Sequence, residues 1–450
     1  MSTEDSDEPA PTAPGLHEAV ARRLLDEPEA VRRTVAFLGA LFADASSGLE
    51  TPVDFACRHL GVDANDLISE TFESSHVFAA SVGAVLNDLI EAHAPAVGPG
   101  SNEDRPSWRY LDLAGQKLSV PHQVSLYFAP GSLTEAGVVV RLAEHAWDSQ
   151  KMVLAVETPT TSHTSGRKAL DLILERARGE RNLYRGTCVR AEMRGGELAF
   201  QQIPTPEVQR DELVLPTAVW TELDLNVSAL TTHASLMSQL DLGSRRGILL
   251  TGPPGVGKTA VTRQLAAELV GEFTVIIADA QASGQMLPEI FRETVELGRS
   301  VVILEDIDLY LGDRKGRQGA GRALADFLAV MDGAERYDDV LTLATTNDPH
   351  VLDKAAVRSA RFDTIIEIGY PDRVAAAAIL RRYLARLDSA ATVDVTRVAS
   401  ALPGDVSGAD LREIVRRTAL TYGPSFTTGD MLDAVSAGRW RPATLTGEYL

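Results

Sequence analysis

The sequence predicts an α/β protein in which a parallel sheet covered by helices is closed by a small helical lid and preceded by a helical domain and an α+β domain. Three observations predict it. After Pro216 short apolar runs alternate with helical stretches, the pattern of a parallel sheet. A glycine-rich turn of the form G-x-x-x-x-G-K-[ST] stands between one such run and the helix after it. Beyond Pro371 only helical periodicity remains. At 450 residues the chain exceeds what one core organises, so two or three domains are expected.

Hydrophobic residues make up 44% and charged ones 24%, the balance of an ordinary globular protein rather than a disordered or fibrous one. No apolar run approaches the ~20 residues of a spanning helix, and the acidic, Pro-rich first residues are unlike a signal peptide. A cytoplasmic protein with no membrane partner is therefore expected. Only Cys57 and Cys188 are present, so neither a disulfide framework nor a zinc site is expected, and both read as buried small apolar residues. A formal charge of −20 opposes attraction to phosphate backbones, so nucleic acid is not an expected partner, although a local basic surface stays open. Six of the 43 basic residues are lysines, which makes Lys258, standing inside a motif, informative.

Residues 1–14 read as a disordered acidic tail. Residues 15–97 carry apolar positions at spacings of three and four, such as Val82, Val85, Leu86 and Leu89, and predict a helical domain. A Gly- and Pro-rich linker follows to residue 106. Residues 107–206 predict an α+β domain. Its strand candidates are 124–128, 138–140, 153–156 and 186–192, its clearest helix is 169–178, and 134–147 is a rival helical reading. Gly195-Gly196 marks a hairpin. Residues 158–165, with His163, read as a solvated loop. The parallel-sheet domain runs over 213–370 and the lid over 371–438, with helices at 373–387, 395–401, 409–421 and 428–437; residues 439–450 form a tail.

The turn comprises Gly252, Pro253, Pro254, Gly255, Val256, Gly257, Lys258 and Thr259, entered from the apolar run 247–250 and left through a helix opening at Ala260. Glycines let backbone N–H groups close round phosphate oxygens, and the helix amino terminus adds positive potential. Lys258 is placed to reach the β and γ phosphates and Thr259 to ligate magnesium, which makes ATP and Mg²⁺ the expected cofactors. The fold is thus a P-loop NTPase parallel sheet.

A second apolar run, 301–304, ends in Glu305 and Asp306, 48 residues beyond Lys258, and would put carboxylates at the carboxyl edge of the sheet beside the phosphate turn. A third, 340–346, ends at Asn347, whose amide can bond both an attacking water and a γ-phosphate. Arg358 and Arg361 offer two guanidiniums one helical turn apart for charge on a transferring phosphoryl group.

With these motifs in this order, residues 213–437 resemble the AAA family of the AAA+ ATPases. The resemblance also rests on Met331-Asp332-Gly333, Arg-x-x-Arg-Phe-Asp from Arg358, and Ser407, Gly408, Ala409 and Asp410 opening a lid helix, where Ser407 and Asp410 also read as a helix cap. It implies a nucleotide held between turn and lid, with Gly408 and Ala409 among its contacts. It implies arginines supplied by a neighbouring subunit, hence a homo-oligomeric ring, usually of six, closed by head-to-tail interfaces. The family ends its second motif Asp-Glu. Here the order is Glu305-Asp306, which resembles the mitochondrial Rieske-protein translocase and assigns magnesium, through water, to Glu305 and water activation to Asp306. The shorter Asp makes slow turnover an expectation.

Threading members carry an aromatic in the loop that here reads Ser283-Gly284-Gln285-Met286-Leu287, where Met286 and Leu287 either grip a chain or pack in the core. Residues 312–322 are either a basic ring in the assembly or a solvated loop. The terminus Gly447-Glu448-Tyr449-Leu450 resembles that of the actinobacterial proteasomal ATPase, which would dock on a 20S proteasome core through Tyr449 and Leu450. The expected function is an ATP-hydrolysing, chaperone-like ring that remodels, unfolds or disassembles protein clients. Its rivals are an ATP-gated scaffold that hydrolyses slowly and a proteasome-associated ATPase.

Overall fold

The computed structural model describes residues 31, 34, 50–101, 105–240, 245–278, 280–311, 337–348, 362–438 and 440–441. Two sheets and a helical lid organise them.

The first sheet is antiparallel. Its strands are β1 (Leu67–Ser75), β2 (Ala96–Gly98), β3 (Ser107–Leu113), β4 (Gln116–Phe128), β5 (Val138–His145) and β6 (Asp148–Pro159), in the order β1-β6-β5-β4-β2 with β3 paired to β4. Helix α1 (Pro52–Leu60) precedes β1, and α2 (His76–His93) and α3 (His163–Arg178) pack Leu86, Ile173 and neighbours against inward residues such as Val124, Leu142 and Leu154.

This unit corrects the helical reading of 15–97 where it is described. Residues 67–75 form a strand, because Leu-Ile-Ser-Glu-Thr-Phe-Glu-Ser-Ser pairs along its whole length with 151–159. The expected linker contributes β2, so pairing crosses the boundary placed at 97–107. The helical reading of 134–147 is also corrected: Val138 to Leu142 form a fully paired central strand, as suits a β-branched run. His163 begins α3 rather than lying in a loop.

α2 is buried round most of its circumference from Val77 to Leu86, because one side meets the antiparallel core while Val77 joins the core of the second sheet.

The second sheet has the order β13-β9-β12-β11-β10-β7-β8. Its strands are β7 (Cys188–Arg194), β8 (Glu197–Gln202), β9 (Arg245–Thr251), β10 (Thr274–Ala278), β11 (Ser300–Leu304), β12 (Val340–Thr346) and β13 (Thr364–Glu367). All neighbours are parallel except β7 and β8, which form the hairpin marked by Gly195 (φ 63°) and Gly196 (φ 90°). That hairpin belongs to the second sheet, where β7 runs beside β10, and so does not close the expected 107–206 domain.

Alternation splits this sheet's core. Leu249, Val302 and Leu304 face one side with helix α7 (Ala280–Leu297), whereas Ile248, Leu250, Val301 and Ile303 face the other with α4 (Thr217–Leu230) and α6 (Lys258–Leu269). A short helix α5 (Ala234–Gln239) leads towards β9, and α8 (Ile307–Leu311) follows β11.

The lid comprises α9 (Arg373–Leu384), α10 (Val395–Ser400), α11 (Gly408–Tyr422) and α12 (Thr428–Ser436) around Leu380, Val398, Leu411, Ile414 and Phe426. Each helix is opened by a side-chain cap: Asp372, Asp394, Ser407 and Thr427, the last two in full capping boxes with Asp410 and Asp430. Among the described residues no helix is long and apolar enough to cross a membrane.

Candidate nucleotide site

Parallel sheets gather functional loops at the carboxyl ends of their strands. β9, β12 and β11 lie side by side, so the turn after Thr251, the residue after Thr346 and the acids after Leu304 meet at one edge.

The turn 252–257 holds Gly252 at φ 145°, Gly255 at φ 80° and Gly257 at φ 108°. At Gly252 a side chain would also collide with the carbonyl of Ile368, and at Gly255 a Cβ would come within 2.8 Å of Ser407 Oγ and 2.9 Å of Ala409 Cβ. These glycines thus let the turn curl over the helix amino terminus and let the lid sit on it. Ala409 donates its N–H to the Gly255 carbonyl at 3.0 Å, and Gly408 lies against the same oxygen. Val256 packs partly into the core, Pro254 is exposed, and Ala260 donates its N–H to Gly257 O at 2.9 Å.

Lys258 is 5% exposed, and Nζ donates to Gly252 O (2.7 Å), Pro253 O (2.9 Å) and Asn347 Oδ1 (2.8 Å). Burial holds its ammonium below the usual value, against the opposing pull of Asp306 and Asp308. Asn347 in turn donates Nδ2 to Asp306 Oδ1 at 3.3 Å. Lys258, Asn347 and Asp306 therefore form one chain of contacts across three strands.

Asp306 adopts φ 49°, a region unusual for a residue with a side chain, and its N–H is held by Thr345 Oγ1 at 2.9 Å. Glu305, half-buried at the end of β11, donates its N–H to Ala278 O at 3.2 Å. Thr259 is half-buried in the first turn of α6.

Sequence reasoning missed Asp308 and Thr345. Asp308 Oδ1 accepts the Asn347 N–H and the Thr346 hydroxyl, both at 3.0 Å, and so fixes the backbone that aims the Asn347 amide. The available signal was a third acid two residues after Asp306, in the first turn of α8.

Arg358 and Arg361, Met331 to Gly333, the 312–322 loop, Tyr449 and Leu450 lie outside the described residues. Met286 (4% exposed) and Leu287 (2% exposed) are buried against Ile290 and Phe291, which decides between their two readings in favour of core packing. Cys188 is buried, and burial pushes its thiol up to about 11; Cys57 is only half-buried, contrary to expectation, and neither is in a disulfide.

The donors suit a triphosphate with a divalent cation. A buried ammonium and a helix amino terminus meet at a turn shaped by three positive-φ glycines, and a hydroxyl at Thr259 with a carboxylate at Glu305 supplies the oxygen ligands that magnesium favours.

Residues 248–370 match the model of the ATPase family associated with various cellular activities (AAA). The chain is 35% identical over 196 residues to the cell division cycle protein 48 homolog of Archaeoglobus fulgidus, covering 42% of this chain and 27% of that protein. It is 36% identical over 400 residues to the ATP-dependent zinc metalloprotease FtsH 4 of Sphaerobacter thermophilus, covering 83% and 56%. To the proteasome-activating nucleotidase of Methanoregula boonei it is 30% identical over 219 residues, covering 45% and 50%. The chain thus spans less than two thirds of the length of each.

Proposed function

We propose that this chain, which carries an AAA-family ATPase domain, is a magnesium-dependent ATP hydrolase that works as a head-to-tail ring, hexameric by resemblance, and remodels, unfolds or disassembles protein clients. The observation that carries the ATPase reading is the continuous contact from Lys258 through Asn347 to Asp306, which sets an ammonium, an amide and a carboxylate along one sheet edge.

In this reading Lys258 moves from the carbonyls of Gly252 and Pro253 to phosphate oxygens, and the turn's N–H groups and the α6 amino terminus stabilise charge on the β and γ phosphates. Thr259, with Glu305 through water, holds magnesium, which neutralises phosphate charge when bound. Asp306 accepts a proton from the attacking water, and Asn347 orients that water. Gly408 and Ala409 contact the nucleotide from the lid, and Arg358 and Arg361 of the neighbouring subunit close the site.

Protein clients are supported by relatives whose names denote an ATP-dependent protease and a proteasome activator. The proteasome-activating relatives also favour a second reading, docking on a 20S core through Tyr449 and Leu450. The antiparallel unit is tied to the nucleotide sheet by Val77 of α2, which joins Leu198 and Phe200 of β8 in one core, and by Arg178, which donates to both oxygens of Glu296 on α7 at 2.7 and 3.2 Å. Client-selecting surfaces on that unit would therefore travel with the nucleotide sheet, leaving the lid as the moving part.

Mixing two inactive variants tests the ring. Lys258→Ala subunits cannot fill their own site but retain their arginines, whereas subunits with Arg358→Ala and Arg361→Ala do the reverse. Recovery of ATP hydrolysis on mixing supports shared sites. Mixtures as inactive as either parent, at concentrations where wild type turns over, contradict it.

A further inference from the structure

The ladder between β11 and β12 ends on a side chain. The two strands pair in parallel, with Ser300 beside Val340 and Leu304 beside Ala344, and Ser300 donates its N–H to the Asp339 carbonyl at 3.0 Å. A parallel ladder repeats every two residues, so continued pairing would bring the Asp306 N–H to the carbonyl of Thr345. That N–H goes instead to the Thr345 hydroxyl, at 2.9 Å. The side chain stands in for the carbonyl of its own residue, and the donor stays satisfied although the strand has ended.

The exchange coincides with φ 49° at Asp306. In an extended strand Asp306 would follow Val302 and Leu304 to the face packed on α7, since alternate residues share a face. The left-handed turn gives that place to Ile307, fully buried in the same core as Leu304 and Phe291. Asp306 is left half-buried at the sheet edge, with Oδ1 3.3 Å from Asn347 Nδ2. Left-handed backbone disfavours a residue with a side chain and persists only where its neighbours fix it. Thr345, itself fully buried, is one such neighbour. Thr346 serves the other acid, donating to Asp308 Oδ1 at 3.0 Å, so consecutive threonines divide Asp306 and Asp308 between them.

Given the ATPase reading, we infer that Thr345 is a positioning residue for ATP cleavage. Its hydroxyl holds residue 306 in the left-handed turn that carries the Asp306 carboxylate to Asn347, and so to the attacking water. Glu305 keeps its N–H on Ala278 O, towards β10, so the acid assigned to magnesium does not depend on this contact. Loss of the hydroxyl should therefore fall on cleavage and spare nucleotide binding.

Substitutions in the full chain separate this role from packing. Thr345→Val keeps the shape and removes the acceptor; kcat for ATP hydrolysis should fall about tenfold or more, with the equilibrium affinity for ATP within about threefold. Thr345→Ser, which retains a hydroxyl, should stay within about threefold of wild type. Thr342→Val removes another fully buried hydroxyl from β12, one without a partner, and should leave kcat within about twofold. In single-turnover cleavage, adding Thr345→Val to Asp306→Asn should slow the reaction by less than about twofold further, because the carboxylate being positioned is already gone. Thr345→Ala repeats these measurements if the valine variant does not fold. Wild-type kcat without the hydroxyl, serine as slow as valine, an equal loss in Thr342→Val, or a full further loss in the Asp306→Asn background would overturn the inference. Wild-type cleavage by Asp306→Asn alone would instead remove Asp306 from the chemistry, and the role of Thr345 with it.

Discussion

Asp308 offers the sharpest test of how the sheet edge is organised. Its Oδ1 accepts the Asn347 N–H and the Thr346 hydroxyl, each at 3.0 Å, while touching neither the phosphate turn nor Lys258 by hydrogen bond. Hydrogen bonds to an ionised acceptor contribute about 1.5–3 kcal/mol each, and water can recover part of that at a half-buried site. Asp308→Ala is therefore expected to release about 1–2 kcal/mol of positioning at Asn347, which at 1.36 kcal/mol per decade lowers kcat about five- to thirtyfold. Asp308→Asn keeps an oxygen in place and should lose about threefold or less. The effect should fall on kcat, with ATP affinity within about threefold, because ground-state phosphate contacts remain. Steady-state hydrolysis with a separate equilibrium titration of ATP measures both. Wild-type kcat in Asp308→Ala, or a loss explained wholly by weaker ATP binding, would refute the positioning role.

Other expectations follow from the same contacts. Gly255→Ala forces a side chain into φ 80° and against Ser407 and Ala409, so the lid should shift and ATP affinity fall about tenfold or more, read by displacement of a fluorescent nucleotide. Burial pushes the Glu293 carboxyl up to about 7, so the folded state holds its proton longer than the unfolded chain, and stability should fall as pH rises from about 4.5 to about 7, by at most about 3 kcal/mol. Urea titrations from pH 5 to 8 should show this slope in wild type and a weaker one in Glu293→Gln. Arg210 donates to both oxygens of Asp224 on α4 and of Glu268 on α6 and stacks over Trp220 at 4.7 Å. Arg210→Ala should cost about 1–2 kcal/mol and change Trp220 fluorescence, checked together in one denaturation series.

The nucleotide edge was legible in the sequence because its signals are local. A glycine-rich turn, an acid-ended apolar run and the Ser407–Asp410 cap each declare themselves within a few residues, and alternation of strand and helix announces a parallel sheet, though not the order of its strands. The antiparallel unit was legible only in part: 124–128, 138–140, 153–156 and 169–178 fall inside β4, β5, β6 and α3, whereas its first strand and its pairing were hidden for the opposite reason. Residues 67–75 are rich in Ser, Thr and Glu and become a strand only by pairing with residues some 80 positions later. In 138–145, Val-Val-Val-Arg-Leu-Ala-Glu-His places apolar residues at both periodicities, so spacing could not separate strand from helix. The hairpin was visible at Gly195-Gly196, but its neighbour β10 lies beyond the turn and could not be inferred locally. Asp308 and Glu293 look like surface acids until the fold brings Asn347 to one and α2 to the other.

Single-turnover hydrolysis by Asp306→Asn tests most directly whether the strand-end acids and the phosphate turn make one ATPase centre. The variant keeps the shape that meets Asn347 but loses the carboxylate that would take the proton. ATP binding within a few-fold of wild type, with cleavage slowed about a hundredfold or more, is the expected result. Cleavage at the wild-type rate, or a wild-type chain that binds no ATP in the presence of magnesium, would contradict it.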